Sequence, residues 1–326
     1  MGNAHRSPDG IPSVSVIVCA FSSARLQLID RCLDAIRSQL EPHDELILVI
    51  DHNPDLLETM TTARRPDTHV AVIANRSPRG LSGARNSGLE RARGDIVAFV
   101  DDDAWVEPGW LDRVREHYRD PDVAAVGGSA RPVWPQRRPV WFPEEFDWVV
   151  GCSHRGLPTT TAPVRNLIGC NMTFRRSALA GLGGFSAAVG RVGDRAQGCE
   201  ETELCIRLQR SAPALRILFD PRIAVRHTIT ADRAGIGYFL RRCYREGISK
   251  SVVSSMAGAR AGLSSERSYV VRVLPAAVLR GLLGAITGPG RPAHAARAGV
   301  TVLGLAVTTL GYATETVRRL APRAGQ

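Results

Sequence analysis

The chain reads as an α/β protein on a mostly parallel central sheet, with a helical extension at its C-terminal end. Three observations lead there. Short apolar runs alternate with segments of helical periodicity over the first half of the 326 residues, the signature of βαβ units. Two of these runs end in acidic residues, Asp51 and Asp101–Asp103, and ligands in such sheets bind beyond the carboxyl ends of the strands. From about Asp232 onward the pattern changes to long, apolar-rich helical segments.

The elements follow in order. Val14–Cys19 is a buried strand, and Arg25–Gln39 a helix with Leu28, Ile29, Cys32, Leu33 and Ile36 at helical spacing. Glu45–Asp51 is a second strand, followed by a helix from near Pro54. His69–Ala74 is a third, followed by a helix over Leu81–Arg93. Gly94–Val100 is a fourth, ending at three aspartates, with a helix over Pro108–Tyr118. From Trp134 to Pro163 the pattern breaks into a Pro- and Trp-rich stretch, expected to be a long functional loop or lid. Its Trp134, Trp141, Phe142 and Trp148 fit an acceptor wall and a core equally well. Strands return at Leu167–Phe174 and Leu215–Phe219, flanking a helix that contains Glu200–Gln209. Ser268–Thr287 and Ala293–Arg319 are apolar-rich helices separated by Gly288–Pro292.

Hydrophobic residues at 44% and charged residues at 23% exclude general disorder. The net charge of +10 rests on 41 Arg and one Lys, a bias of GC-rich coding more than a mark of nucleic-acid binding. Its position says more. Residues 205–326 carry 19 basic against 5 acidic side chains, while residues 1–204 carry 23 against 27. The basic third would attract lipid head groups or phosphates. Ala298–Thr314 is the longest uncharged stretch, at the short edge of what spans a bilayer. A hairpin packed on the catalytic domain, a membrane-surface anchor and a true span all fit it. Seven scattered cysteines without a C-x-x-C pair support neither a zinc ribbon nor a disulfide scaffold. The N-terminal residues show no signal-peptide pattern, so the expected location is cytoplasmic, peripheral on the inner face of the plasma membrane.

Carboxylates clustered at Asp101–Asp103 repel one another and raise each other's pKa unless a cation lies between them. Hard oxygen ligands of this kind suit Mg²⁺ or Mn²⁺, ions that also bind diphosphates. A solvated acidic loop is the plain alternative.

Six strings, in order over residues 14–246, resemble family 2 glycosyltransferases of the GT-A fold. They are Val16–Arg25, Leu48–Asn53, Arg79–Asp95 with its Ala-Arg-Asn core, the DXD-type triplet Asp101–Asp103, Gly169–Phe185, and Cys199–Leu208 where the family carries a Glu-Asp pair. The resemblance implies an inverting transfer of a sugar from a nucleoside diphosphate, with Mn²⁺ or Mg²⁺, to a hydroxyl acceptor. The acceptor would be a glycan or lipid-linked molecule, and the donor of UDP, GDP or dTDP type. Ala20, Phe21 and Arg25 would form the nucleotide loop, and Asp51 would contact the base or else cap the next helix. Arg85 would approach phosphate oxygens, unless it makes an ordinary ion pair. Asp103 fits the metal ligand and Asp101 the sugar or ribose, with Asp102 able to do either. His227 would approach the metal or diphosphate. Glu201 stands where the family usually has Asp as the base; Glu200 competes with it, and Glu203 more distantly.

The expected division is a catalytic domain over 1–230, with a donor half at 12–130 and an acceptor half at 131–230, and a basic helical region over 231–326. A sugar-phosphate nucleotidyltransferase would want a glycine-rich loop after the first strand, which CAFSSAR lacks. An inverting glycoside hydrolase needs two carboxylates but no nucleotide loop. A basic membrane- or nucleic-acid-binding protein leaves the N-terminal motifs without purpose, and no nucleic-acid signature is visible.

Overall fold

The first strand, β1 (Val14–Ala20), is flanked on both sides by parallel partners, β2 (Glu45–Ile50) and β4 (Ile96–Asp101), while β3 (Val70–Ala74) extends the parallel run beyond β2. The computed structural model describes residues 11–64, 69–186, 191–192, 195–196, 199–257 and 267–320. Residues 1–10, on which the expectation about a leader rests, lie outside them. By contact the chain divides into two units. The first is Met1–Arg131, Pro158–Arg195 and Glu200–His227; the second is Pro132–Leu157, Ala196–Cys199 and Thr228–Gln326.

Among the described residues, the first unit is built on a nine-stranded sheet in the order β3-β2-β1-β4-β8-β6-β9-β5, where β5 is Ala104–Val106, β6 Val123–Val133, β8 Asn171–Arg175 and β9 Arg216–Thr228, with the short β7 (Ala162–Pro163) paired to β9. The parallel order holds over β3-β2-β1-β4, whose strands are joined by helices α1 (Leu26–Arg37), α2 (Pro54–Arg64) and α3 (Leu81–Arg91). Beyond β4 the described pairings are antiparallel: β8 against β4 and against β6, and β5 against β9.

Alternation along β1 sends Val14, Val16 and Val18 to one apolar layer and Ile17 to the other. In α1, Ile29, Cys32, Leu33 and Ile36 are buried at the spacing of one helix face. Gly88 lets α3 lie close on β1, since a Cβ there would be 2.5 Å from Ile17 Cγ2.

Several boundaries differ from the sequence reading. The helix expected from Pro108 starts at Trp110 as α4 (Trp110–Tyr118), because Gly109 takes a left-handed φ of +74°. The strand expected over Leu215–Phe219 runs on to Thr228. β6 escapes pattern reading because Gly127 and Gly128 interrupt its apolar run. The reason is packing: a Cβ on Gly128 would sit 1.6 Å from the Ile223 carbonyl oxygen.

In the second unit the Pro/Trp stretch is packed core. Phe142, just ahead of a 3₁₀ segment (Glu144–Val150), and Phe146 within it lie among Phe239, Cys243 and Leu274, with Trp134, Trp141 and Trp148 packed around them. Phe142 and Phe239 meet edge-on at 5.4 Å between ring centres, and Arg138 holds Asp147 through two hydrogen bonds. This core continues into α6 (Ile236–Ala257), α7 (Leu274–Thr287) and α8 (Arg291–Leu320). Among the described residues, none of the seven cysteines forms a disulfide.

Candidate active site

Parallel register aligns the ends of three strands. Ala20 pairs with Ile50 and Cys19 with Asp101, so Ala20, Asp51 and Asp101 lie along one edge of the sheet. The Asp51 amide donates to the Ala20 carbonyl at 2.8 Å. Phe21, the next residue, is exposed, and its carbonyl accepts from Asn53 Nδ2.

Asp51 is buried and held from two directions: Asn75 Nδ2 donates to Oδ1 at 2.6 Å and the Gly80 amide to Oδ2 at 2.9 Å, with His52 Nδ1 also 2.8 Å from Oδ1. The cap of α2 is Asn53, whose Oδ1 accepts from the Leu56 amide. Asp51 does not cap that helix. Asn75 itself is oriented by Ser87 and the Ser77 amide.

At the end of β4 the three aspartates diverge. Asp102 and Asp103 are buried, and Arg25, at the end of a 3₁₀ turn opened by Ser22, reaches both, at 2.7 Å and 3.2 Å. Burial and the neighbouring Asp103 raise the Asp102 pKa to about 7 against the pull of Arg25. Among the described residues, its Oδ2 is buried without a hydrogen-bond partner. The antiparallel pairing of His227 with Ala104 carries His227 from a distant part of the chain to Asp103, Nε2 to Oδ1 3.1 Å. Ligand atoms of Asp101, Asp103 and His227 all lie within 4.8 Å of one another. Two carboxylates and an imidazole, beside an orphaned carboxylate oxygen, fit Mn²⁺ or Mg²⁺.

Helix α5 (Glu200–Ser211) brings its first turn to the same edge. Glu200 is buried, with Oε1 3.0 Å from Arg85 Nη1. Glu201 is more accessible, and its Oε2 lies 3.9 Å from where a Cβ on Gly169 would stand. Glu203 is engaged by Arg207 one turn on, at 2.6 Å. Arg85 is fully interior: Nη2 donates to Asp101 at 3.1 Å and to the Gly169 carbonyl at 3.0 Å. Burial opposes its charge, but Asp101 and Glu200 outweigh that and raise its pKa further.

The profile of the family described as Glycosyl transferase family 2 matches residues 15–183. A glucosyl-dolichyl phosphate glucuronosyltransferase of Haloferax volcanii is 33% identical over 241 residues, which is 74% of this chain and 77% of that protein. The chain belongs to glycosyl transferase family 2.

The succinoglycan biosynthesis protein ExoM of Rhizobium meliloti is 26% identical over 243 residues, 74% of each chain. The mannosyltransferase PcManGT from Pyrobaculum calidifontis, solved with GDP-Man and Mn²⁺, superposes with a TM-score of 0.60 at 22% identity, covering 96% of this chain and 88% of that one. The N-terminal part of TarS from S. aureus, solved with UDP, gives a TM-score of 0.52 at 14% identity, covering 96% and 93%. These likenesses carry the GT-A fold, and the family makes this chain a nucleotide-sugar-dependent glycosyltransferase. Asp101–Asp103 is its DXD-type triplet.

The family 2 framework gathers Ala20, Arg25, Asp51, Arg85, Asp101, Asp102, Asp103, Glu200, Glu201 and His227 in the first unit, with Phe21 on the same edge. Asp101, expected at the sugar or ribose, lies with Asp103 and His227 in the cluster that could hold a cation. Of the two readings of Arg85, phosphate contact or ion pair, the structure displays ion pairs with Glu200 and Asp101, buried, together with a bond to the Gly169 carbonyl. Asn75, which holds Asp51, belongs to none of the six strings; its signal in the sequence is its place just after β3, on the edge that holds Asp51. In α6, Arg242 is paired to Glu246 at 2.9 Å, while Arg241 and Arg245 are exposed.

Proposed function

We propose that this enzyme transfers a sugar, with inversion, from a nucleoside diphosphate to a hydroxyl of a lipid-linked acceptor at a membrane surface. The observation that carries the reading is the meeting of the Asp101–Asp103–His227 cluster with the first turn of α5 on one edge of one sheet. Asp101, Asp103 and His227 would hold Mn²⁺ or Mg²⁺, and a bound cation neutralises charge on the leaving diphosphate. Phe21 offers an exposed ring to the base, and Asp51, already oriented by Asn75 and Gly80, is fixed as an acceptor for it. Arg25 lies where it can pass from Asp102 to a phosphate oxygen.

Glu201 is the base. Its carboxylate takes the proton of the acceptor hydroxyl as that oxygen bonds to the anomeric carbon and the carbon–diphosphate bond breaks. A single displacement inverts the centre. The extra methylene relative to Asp lengthens the reach of this base.

The acceptor class is supported by the name of the Haloferax relative and by the second unit. There two helical segments, Tyr269–Thr287, which ends in α7, and Arg291–Leu320, which is α8, are long and apolar enough to cross a membrane, and only 17% of the most apolar window in each is buried. Leu279, Leu282, Leu283 and Ile286 are more than half exposed on α7. A groove of about 330 Å³ between the two helices is lined by Val270, Leu274, Val278, Leu279, Leu282 and Val302. Arginines 272, 280, 291, 297, 318 and 319 accompany it. An apolar face with basic flanks matches an anionic leaflet.

Calorimetry with UDP-glucose, UDP-glucuronic acid, GDP-mannose and dTDP-rhamnose, with and without Mn²⁺, tests the donor site. Metal-dependent binding of one donor is expected, and binding of none refutes the reading. Triple replacement of Leu282, Leu283 and Ile286 by serine spares the core, unlike deletion from Ser268, which would remove Leu274 from it. It should release the protein from phosphatidylglycerol vesicles; unchanged sedimentation would remove the membrane from the proposal.

A further inference from the structure

Among the largest fully enclosed side chains of the described residues, Arg85 is the charged one. It projects from α3 to a point where three separate parts of the first unit meet. Nη1 reaches Glu200 Oε1 on α5 at 3.0 Å, and Nη2 reaches Asp101 Oδ1 at the end of β4 at 3.1 Å. Nη2 also donates to the carbonyl of Gly169, ahead of β8, and the guanidinium lies 5.3 Å from the centre of the Phe185 ring. Gly169 marks the junction: a Cβ there would stand 3.2 Å from Arg85 Nη2 and 3.9 Å from Glu201 Oε2. A buried guanidinium without partners is costly, so the group must be matched by fixed acceptors, and its planar fork sets their mutual geometry.

We propose that Arg85 is a positioning residue for the proton-transfer step and not a ligand of the donor diphosphate. It fastens the first turn of α5 to the end of β4 through Glu200 and so sets where the Glu201 carboxylate stands relative to Asp101. Glu200 is its anchor and not a base. The inference rests on the reading of Glu201 as base. Glutamate in place of the usual aspartate makes such an anchor matter more, because the added methylene adds a rotatable bond between helix and carboxylate. A base held within about 0.5 Å of its productive position needs its supporting contacts fixed, and about 1 Å of misplacement costs on the order of 100-fold in rate. A lysine at 85 keeps the charge but cannot bridge both carboxylates.

The test uses the full chain, the donor from the panel above that binds with Mn²⁺, and release of its nucleoside diphosphate at saturating donor. For Arg85→Lys, kcat should fall by about 30-fold or more while the calorimetric donor Kd changes by less than about threefold. Glu200→Gln, isosteric with the wild-type side chain, should show the same split and serves if Arg85→Lys fails to fold. The double variant should be no slower than the slower single variant within about threefold, because both changes cut one link. Wild-type kcat in Arg85→Lys would overturn the proposal. So would a loss of donor affinity matching the loss of kcat/KM, which would make Arg85 a diphosphate ligand. Full loss of turnover in Glu200→Gln with turnover retained in Glu201→Gln would overturn it too, by making Glu200 the base. If the wild type binds no donor, the proposed function fails with it; if the wild type binds and turns over while Arg85→Lys matches it, this inference fails alone.

Discussion

Replacing Asn171 by leucine removes one buried side chain that joins three elements. Asn171 is fully buried on β8; its Oδ1 accepts from Trp110 Nε1 of α4 at 3.0 Å, and its Nδ2 donates to the carbonyls of Ser129 on β6 and Ile223 on β9 at 3.1 Å and 2.8 Å. Leucine has similar volume, so no large cavity opens, but three partners each lose the hydrogen bond that Asn171 makes to them. At about 1–2 kcal/mol for each lost bond the gross loss is about 3–6 kcal/mol. The apolar area gained by leucine returns about 1–2 kcal/mol, leaving a net loss of about 2–4 kcal/mol. Urea unfolding followed by tryptophan fluorescence reads this directly, and at a slope of about 2–3 kcal/mol per molar the midpoint should fall by roughly 1 M. Asn171→Asp should be no better, since it keeps the acceptor for Trp110 but sets a carboxylate against two carbonyls. A midpoint unchanged within about 0.2 M would refute the reasoning. The consequence for the site is direct, because Asn171 pairs with Val100, one residue before the aspartates.

Asp103→Asn removes a charge from the Asp101–Asp103–His227 cluster and should weaken Mn²⁺-dependent donor binding by about 100-fold or more in calorimetry, while His227→Ala should weaken it by about 10- to 100-fold; wild-type affinity in both would show the cation sits elsewhere. Glu201→Gln should lower turnover by about 100- to 10,000-fold with donor affinity held, read as nucleoside diphosphate release. Loss of donor binding instead would move Glu201 to the donor side. In β9, burial works against the charge of Asp220, but hydrogen bonds from the Arg222 guanidinium and from His117, 2.7 Å away, outweigh it and hold its pKa below the usual carboxylate range. A carboxyl with a depressed folded pKa contributes stability above its unfolded value of about 3.9 and loses it as pH falls through the folded one. Thermal unfolding should therefore show wild type progressively losing its advantage over Asp220→Asn as pH falls below about 4; a constant gap would refute the assignment.

The sequence by itself determined the parallel half of the sheet and the edge that carries the site. Apolar runs rich in β-branched residues, such as Val14–Cys19 and Glu45–Asp51, favour buried strands, and helices of matching length between them favour parallel pairing. Local pattern also marks Asp51 and Asp101–Asp103, since acidic residues closing an apolar strand can lie only at its end. Fourteen net positive charges in residues 205–326 likewise stand in the sequence without any fold. What pattern could not reach is whatever depends on contact between distant segments. The Pro/Trp stretch reads as a lid because its aromatics have no period; they are core because Phe239 and Leu274 arrive to cover them. β6 is hidden by the Gly127–Gly128 pair, and the need for those glycines appears only when β9 brings the Ile223 carbonyl against them.

The site divides in the same way. Its residue types are local, but their roles are set by register and burial. Asp101 stands with Asp103 and with His227, which one antiparallel pairing delivers, in a cluster that could hold a cation, and Arg85 is enclosed because Glu200, Asp101 and Gly169 close around its guanidinium. A side chain's chemistry belongs to the sequence. Which partner satisfies it once water is excluded is decided by tertiary structure, because a buried charge must take the acceptors that packing places within its reach.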